Sequence, residues 1–232
     1  MDHIKHYSFD LWFTLIRSNP LFKKERANFF FNNFNSLNKT IEEVENVFRQ
    51  VDLMCNAINE KTGGNIDAEE MYLMVIYNLN NSHIPFNNID TGSLYHEMEQ
   101  MILKNIPVIF NPQTPSTLHR IKQNTNTTIN ILSNTAFIKG STLRLVMDKL
   151  DLAQYFDFQI YSDEVGASKP NTEIYNVLLK NIYNTRKEDN IGLNEIMHIG
   201  DNPIADIHGA RLVGINAFQI NTNDKLITHL FN

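Results

Sequence analysis

The sequence predicts an α/β fold, a doubly wound parallel sheet interrupted by an inserted bundle of α-helices. Three observations lead there. Residues 5–16 and 108–232 alternate short β-rich runs with helical stretches. Residues 17–107 are helical in pattern throughout. The chain has 232 residues, 42% of them hydrophobic, enough to pack a large interior. The expected division is therefore a core of residues 1–16 and 108–232 and a helical insert of residues 17–107.

The first predicted strand is Tyr7–Phe9. In the insert, Phe29, Phe30, Phe31 and Phe34 crowd the first helix. Thr40 followed by Glu43 is a capping-box signal for the next helix start. Ile41, Val44, Phe48, Val51, Cys55 and Ile58 then recur at steps of three and four, one apolar stripe running to about Lys61. Gly63 and Gly64 stop that helix. Asp67 and Glu70 repeat the start signal ahead of Met71, Met74 and Val75. Leu94, Met98, Met101 and Ile102 form a last stripe, with Pro107 beyond its end. Four such helices make a small bundle whose stripes are core, and Cys55 on one of them reads as a buried, inert thiol. Four more strands follow: Thr128–Leu132, Phe158–Tyr161, Ile196–Ile199 and Ala217–Ile220. Helical patterns separate them, which is the rhythm of a parallel sheet.

Composition narrows the partners. The net charge of −6 argues against a nucleic-acid surface, which shows as a basic patch. No apolar run approaches the ~20 residues that cross a bilayer, and the opening MDHIKHYSFD lacks the zones of a signal peptide. A single cysteine excludes a disulfide framework and a multi-cysteine zinc site. The expectation is a soluble cytoplasmic protein, monomer or homodimer, with neither nucleic acid nor membrane as partner. The histidines show no metal-ligand spacing: His198 falls in a strand core and His208 points away from Asp206. Arg17 reads as a solvated arginine where the insert begins.

Four segments sit at predicted C-terminal strand ends, where open parallel sheets bind ligands. FDLWFTL presents Asp10, with Thr14 four residues on. INILSN ends in Ser133 and Asn134; a hydroxyl there donates to a phosphate oxygen or caps a helix. SKP places Lys169 ahead of Pro170, a residue suited to the first helical position. A cation at a helix N-terminus is locally unfavourable unless an anion lies beside it. HIGDNPIAD ends a strand at Gly200, then offers Asp201, a cap at Asn202, a helix start at Pro203 and Asp206 in the first turn.

Together these four segments resemble the haloacid dehalogenase (HAD) superfamily: a nucleophilic Asp, a Ser or Thr, a Lys and an acidic fourth motif, in that order. LDLAQYFDFQIYSDEVGASKPNTEIY and GDNPIADIHGARLVGINAF read like that family from end to end. The resemblance covers nearly the whole chain and implies a Rossmann-like core with a mobile helical cap. It implies that Asp10 attacks the substrate to form an aspartyl intermediate. Lys169 would neutralise charge on Asp10 and on the transferring group, and Ser133 would bind a phosphoryl oxygen with Asn134 beside it. Thr14 would hold the turn and Trp12 would line the pocket. Mg²⁺ would be ligated by Asp10, the Trp12 carbonyl and Asp201, with Asp206 in support. The substrate implied is a small phosphorylated metabolite.

One departure divides the readings. The family's phosphatases read DxDGT, with a second Asp as general acid; here Trp12 and Phe13 replace that Asp and the Gly. Indole supplies no proton in acid–base chemistry. Three readings stay open: a metal-dependent phosphatase without that acid, a 2-haloacid dehalogenase (whose members carry an aromatic residue there), and a binding or regulatory protein on the same scaffold.

Overall fold

A computed structural model of the chain describes residues 3–82, 89–187 and 190–231; the remaining positions, which the sequence assigned to core and insert, lie outside it. Five strands form one parallel sheet in the order β5-β4-β1-β6-β7. They are β1 His6–Phe9, β4 Thr128–Ser133, β5 Phe158–Tyr161, β6 Ile196–Gly200 and β7 Asn216–Gln219. The last lies one residue earlier than the apolar run alone suggests. Helices α5 Thr114–Lys122, α6 Gly140–Lys149 and α8 Thr172–Thr185 connect the strands, with the short α7 Ser162–Val165 and α9 Gly209–Leu212. No described helix is long and apolar enough to cross a membrane.

Strand β1 is central and wholly buried, yet half of it is polar. Buried polar groups need partners, and here the neighbouring strands supply them. His6 bonds Thr128 Oγ1 at 2.7 Å and Asn130 Oδ1 at 2.8 Å. Ser8 Oγ lies 3.0 Å from His198 Nδ1. Pairing of Ser8 with His198 and of Phe9 with Ile199 brings the ends of β1 and β6 level. The chain order reverses about β1, so this end of the sheet is the switch point where α/β sheets bind ligands.

Between β1 and β4 the chain leaves through a two-strand ribbon, β2 Ile16–Arg17 antiparallel to β3 Val108–Ile109. The ribbon was not anticipated, since two residues carry no period. The segment between its strands folds as α1 Pro20–Asn33, α2 Ile41–Thr62, α3 Ala68–Leu79 and α4 Thr91–Lys104. The Thr40 and Glu43 capping box is formed in both directions. Gly63 ends α2 at φ 74, the left-handed conformation that glycine adopts without a Cβ clash. Its carbonyl accepts from Asn171 Nδ2 and Ser168 N, which docks this end of the insert on the core. Cys55 is buried against Met74, and burial pushes its thiol up to about 11. Phe31 and Ile58, assigned to the core by pattern, are instead 39% exposed. Phe31 is one residue, about 100°, past Phe30. Ile58 lies two heptads beyond Val44, by which point an α-helix has drifted about 40° from a seven-residue repeat.

Candidate active site

Asp10 follows β1 directly, and its N–H donates to Ile199 O at 2.8 Å, which fixes it beside the end of β6. The chain then turns tightly: Leu15 and Ile16 both donate to Leu11 O, and Phe13 donates to Ile16 O. Phe13 adopts φ 57 in this turn. The Trp12 carbonyl accepts no backbone hydrogen bond from a described residue. At the end of β6, Asn202 Oδ1 caps the next turn by accepting from Ile204 N and Ala205 N. Pro203–His208 form a single π-helical stretch that runs into α9. That turn lays the Asp206 carboxylate directly over Gly200.

Lys169 ties these pieces together. It is 1% exposed, and Nζ donates to Asp10 Oδ1 at 2.8 Å, Asp206 Oδ1 at 2.6 Å and Leu132 O at 2.7 Å. The sequence placed Lys169 at a helix N-terminus. In fact α8 begins at Thr172 with Asn171 as its cap, and Pro170 follows a cis peptide bond in the preceding turn. The lysine is held by two carboxylates, not offered to a helix dipole. Asn134 clasps its backbone on both sides, accepting from Lys169 N at 2.7 Å and donating to Lys169 O at 3.0 Å.

Asp206 is the most heavily bonded carboxylate. Besides Lys169, Oδ1 meets His198 Nε2 at 3.1 Å and Oδ2 accepts from Asn202 N at 2.9 Å. A carboxylate only accepts, so His198 donates from Nε2 and receives the Ser8 hydroxyl at Nδ1. Tyr175 Oη, donating to Ala205 O at 2.8 Å, braces the same turn from α8. Asp10, Asp201 and Asp206 each bring one oxygen within 4.8 Å of the others.

This crowding shows in the proton affinities. Burial pushes Asp10 up to about 6 even though Lys169 pulls it back. Burial, then the charges of Asp10 and Asp206, push Asp201 up to about 7. For Asp206 burial is outweighed by Lys169 and His198, which hold it well below the usual carboxylate range. Burial opposes the Lys169 charge, but Asp10 and Asp206 raise its pKa above the ordinary value. Burial depresses the His198 pKa, which favours the neutral ring.

A cavity of about 900 Å³ opens in front of the site, between the sheet end and the insert. Asp10, Trp12, Asn134, Lys169, Asp201 and Asp206 all border it. Ser133 and Thr14 do not. Ser133 is fully buried and its hydroxyl donates to Asn134 O at 3.0 Å. Thr14 is 1% exposed, and its hydroxyl forms no hydrogen bond although it lies close enough to Asp10 to favour the carboxylate. In this arrangement neither hydroxyl presents itself to a ligand, and the Asn134 amide is spent on Lys169. Sequence reasoning missed what His198 and Tyr175 do at the Asp206 turn, since both come from elements whose register no local pattern reveals.

A family model described as haloacid dehalogenase-like hydrolase matches residues 9–220, which contain Asp10, Lys169, Asp201 and Asp206. The chain belongs to that family. A hydrolase of Schizosaccharomyces pombe is 26% identical over 126 residues, covering 54% of this chain and 53% of the relative, so the match spans about half of each. Among solved structures, the HAD-hydrolase YfnB of Bacillus subtilis, bound to magnesium, aligns over 96% of this chain and 91% of its own, with TM-score 0.69 and 15% identity. A HAD phosphatase from Thermococcus onnurineus aligns over 98% and 96%, with TM-score 0.66 and 20% identity. A 2-haloacid dehalogenase from Pseudomonas syringae aligns over 96% and 88%, with TM-score 0.62 and 18% identity. At such identities these likenesses establish the HAD fold, and they include both chemistries.

Proposed function

We propose that this HAD hydrolase is a magnesium-dependent phosphatase of a small phosphorylated metabolite, with Asp10 as nucleophile. One observation carries the reading: the Asp10, Asp201 and Asp206 carboxylates converge within 4.8 Å of one another beside a single ammonium group, and burial together with their mutual repulsion raises the proton affinity of Asp10 and Asp201. At an effective dielectric of 20 each pair of carboxylates at this spacing repels by roughly 3 kcal/mol. The donor set fits a hard divalent cation, because it consists of oxygens alone. Asp206 has both oxygens committed to protein donors. Asp10 Oδ2, the Asp201 carboxylate and the Trp12 carbonyl would hold the ion, with Asp206 fixing them through Lys169. When bound, Mg²⁺ supplies charge neutralisation and polarises phosphoryl oxygens. The magnesium in the YfnB structure supports this choice of ion.

Asp10 attacks phosphorus, the bond from phosphorus to the ester oxygen breaks, and the alcohol departs. Water then attacks the aspartyl phosphate, releasing inorganic phosphate and restoring Asp10. The Lys169 ammonium offsets the charge that gathers on Asp10 and on the phosphoryl group. Trp12 holds no proton to give, so the leaving oxygen takes its proton from water. General acid help is worth ~10²–10⁴-fold, and its loss favours esters of acidic alcohols and phenols.

Hydrolysis of 4-nitrophenyl phosphate with and without Mg²⁺, beside halide release from 2-chloropropionate, tests the reading. Phosphate release is expected to require Mg²⁺ and to vanish in Asp10→Asn. Trp12 is the observation that favours the dehalogenase reading, since halide departure needs no proton. Halide release indifferent to chelator would establish that alternative, and silence in both assays with ligand binding retained would point to a binding protein.

A further inference from the structure

On the insert side of the cavity stands Arg26 of α1, only 9% exposed. Its guanidinium carbon lies 4.1 Å from the centre of the Phe48 ring, 4.7 Å from Phe137 and 5.2 Å from Phe22. Those rings satisfy the charge but not the N–H groups. No carboxylate among the described residues pairs with Arg26, and its Nε is buried without a hydrogen-bond partner. The buried Tyr72 hydroxyl lies close enough to favour the guanidinium charge, but it has no hydrogen bond of good geometry and leaves most of the fork's donors unspent. Asp52 acts on the guanidinium only through space.

A guanidinium has five donors in a rigid fork. Burying it unpaired is costly unless an acceptor arrives from elsewhere. Here an aromatic cradle fixes the fork, and the group borders the same cavity as the nucleophile. The general charge of the wall does not select a ligand, because Lys23 and Arg49 are interspersed with Glu45 and Asp52. The unspent donors of Arg26 do.

We propose that Arg26 anchors a second oxyanion of the substrate, a carboxylate or a second phosphate, at the end remote from Asp10. The substrate class is then a phosphate monoester bearing a further anionic group. This rests on the phosphatase reading for the position of the first phosphate, while Arg26 itself is judged by charge preference. A planar oxyanion takes two parallel hydrogen bonds from the fork.

The test is calorimetric titration of the Asp10→Asn protein with Mg²⁺, using matched aryl phosphates. The diacids are 4-carboxyphenyl phosphate, 4-(carboxymethyl)phenyl phosphate and 1,4-phenylene bisphosphate; the control is 4-methylphenyl phosphate. At least one diacid is expected to bind roughly tenfold tighter than the control or better, the range of a charged hydrogen bond. Which one gains most separates carboxylate from phosphate. Arg26→Met in the same background fills similar space and should abolish the preference while leaving the control within about twofold. Arg26→Lys should restore part of it, having the charge without the fork. Equal affinity of the Asp10→Asn protein for diacids and control overturns the proposal even if neither Arg26 substitution folds, and so does a preference that survives Arg26→Met. Turnover by the unsubstituted protein is measured alongside. A preference without turnover removes the phosphatase reading and keeps the Arg26 anchor; turnover without a preference does the reverse. Absence of binding to every ester overturns both.

Discussion

At position 200 even a methyl group has no room: a Cβ there would lie 2.2 Å from Cγ of Asp206. The bare glycine lets the carboxylate rest on the end of β6, where Lys169, His198 and Asn202 N reach it together. Gly200→Ala must push Asp206 outward and with it Lys169, whose ammonium bridges to Asp10. Displacing a catalytic group by about 1 Å costs on the order of 100-fold. We expect Gly200→Ala to lower Mg²⁺-dependent turnover of 4-nitrophenyl phosphate by about that factor while circular dichroism stays native; unchanged turnover would show that the contact does not position the site. The acidic residues of this segment were readable in HIGDNPIAD because a strand, a cap and a helix start succeed one another within nine letters. The part played by His198 was not, because it depends on the turn after Gly200 folding back over the strand.

Among the elements, the turn after β1 shows most clearly where the chain parts from its family. The family's phosphatases place glycine where Phe13 stands, and Phe13 takes the left-handed φ of 57 that glycine tolerates without cost. Its ring is 55% exposed, so little burial offsets the strain. Removing the ring in two ways isolates the backbone: Phe13→Gly should be more stable than Phe13→Ala by about 1 kcal/mol. Urea unfolding of the two variants measures the difference, and equal midpoints with equal slopes would mean that the turn relaxes. Helix caps such as Thr40 with Glu43, and Asn202 before Pro203, were legible because their donors and acceptors lie within one turn. The ribbon of β2 and β3 was not, since Ile16 meets Ile109 only after the insert has folded. Pro170 misled for a related reason: proline suits a helix start and a tight turn equally, and the grip of Asn134 on Lys169 keeps this one in the turn.

For the whole molecule, the sheet order follows from one requirement, that β1 lie between β4 and β6, and the alternation of strands and helices was enough to expect a parallel sheet. It was not enough to bring Asp10 and Lys169 together across 159 residues; only the order of the four motifs did that. The same central strand sets how the fold responds to acid. His6 lies inside the sheet, bonded to Thr128 and Asn130, and burial depresses its pKa from 6.5 to about 4. Between those values the unfolded chain binds a proton that the folded chain refuses, so unfolding becomes easier as pH falls from about 6.5 towards 4 and this group adds nothing further below that. From pH 7 to pH 5 the loss amounts to about 2 kcal/mol. His6→Gln keeps an amide able to bond Thr128 and Asn130 but has no proton to gain. Its absolute stability is not the readout. Asp10, Asp201 and His198 titrate in both proteins and cancel in the comparison. Urea unfolding at the two pH values should show the unsubstituted protein losing about 2 kcal/mol more than His6→Gln; parallel losses would mean that His6 accepts a proton in place, with the sheet opening to solvate it.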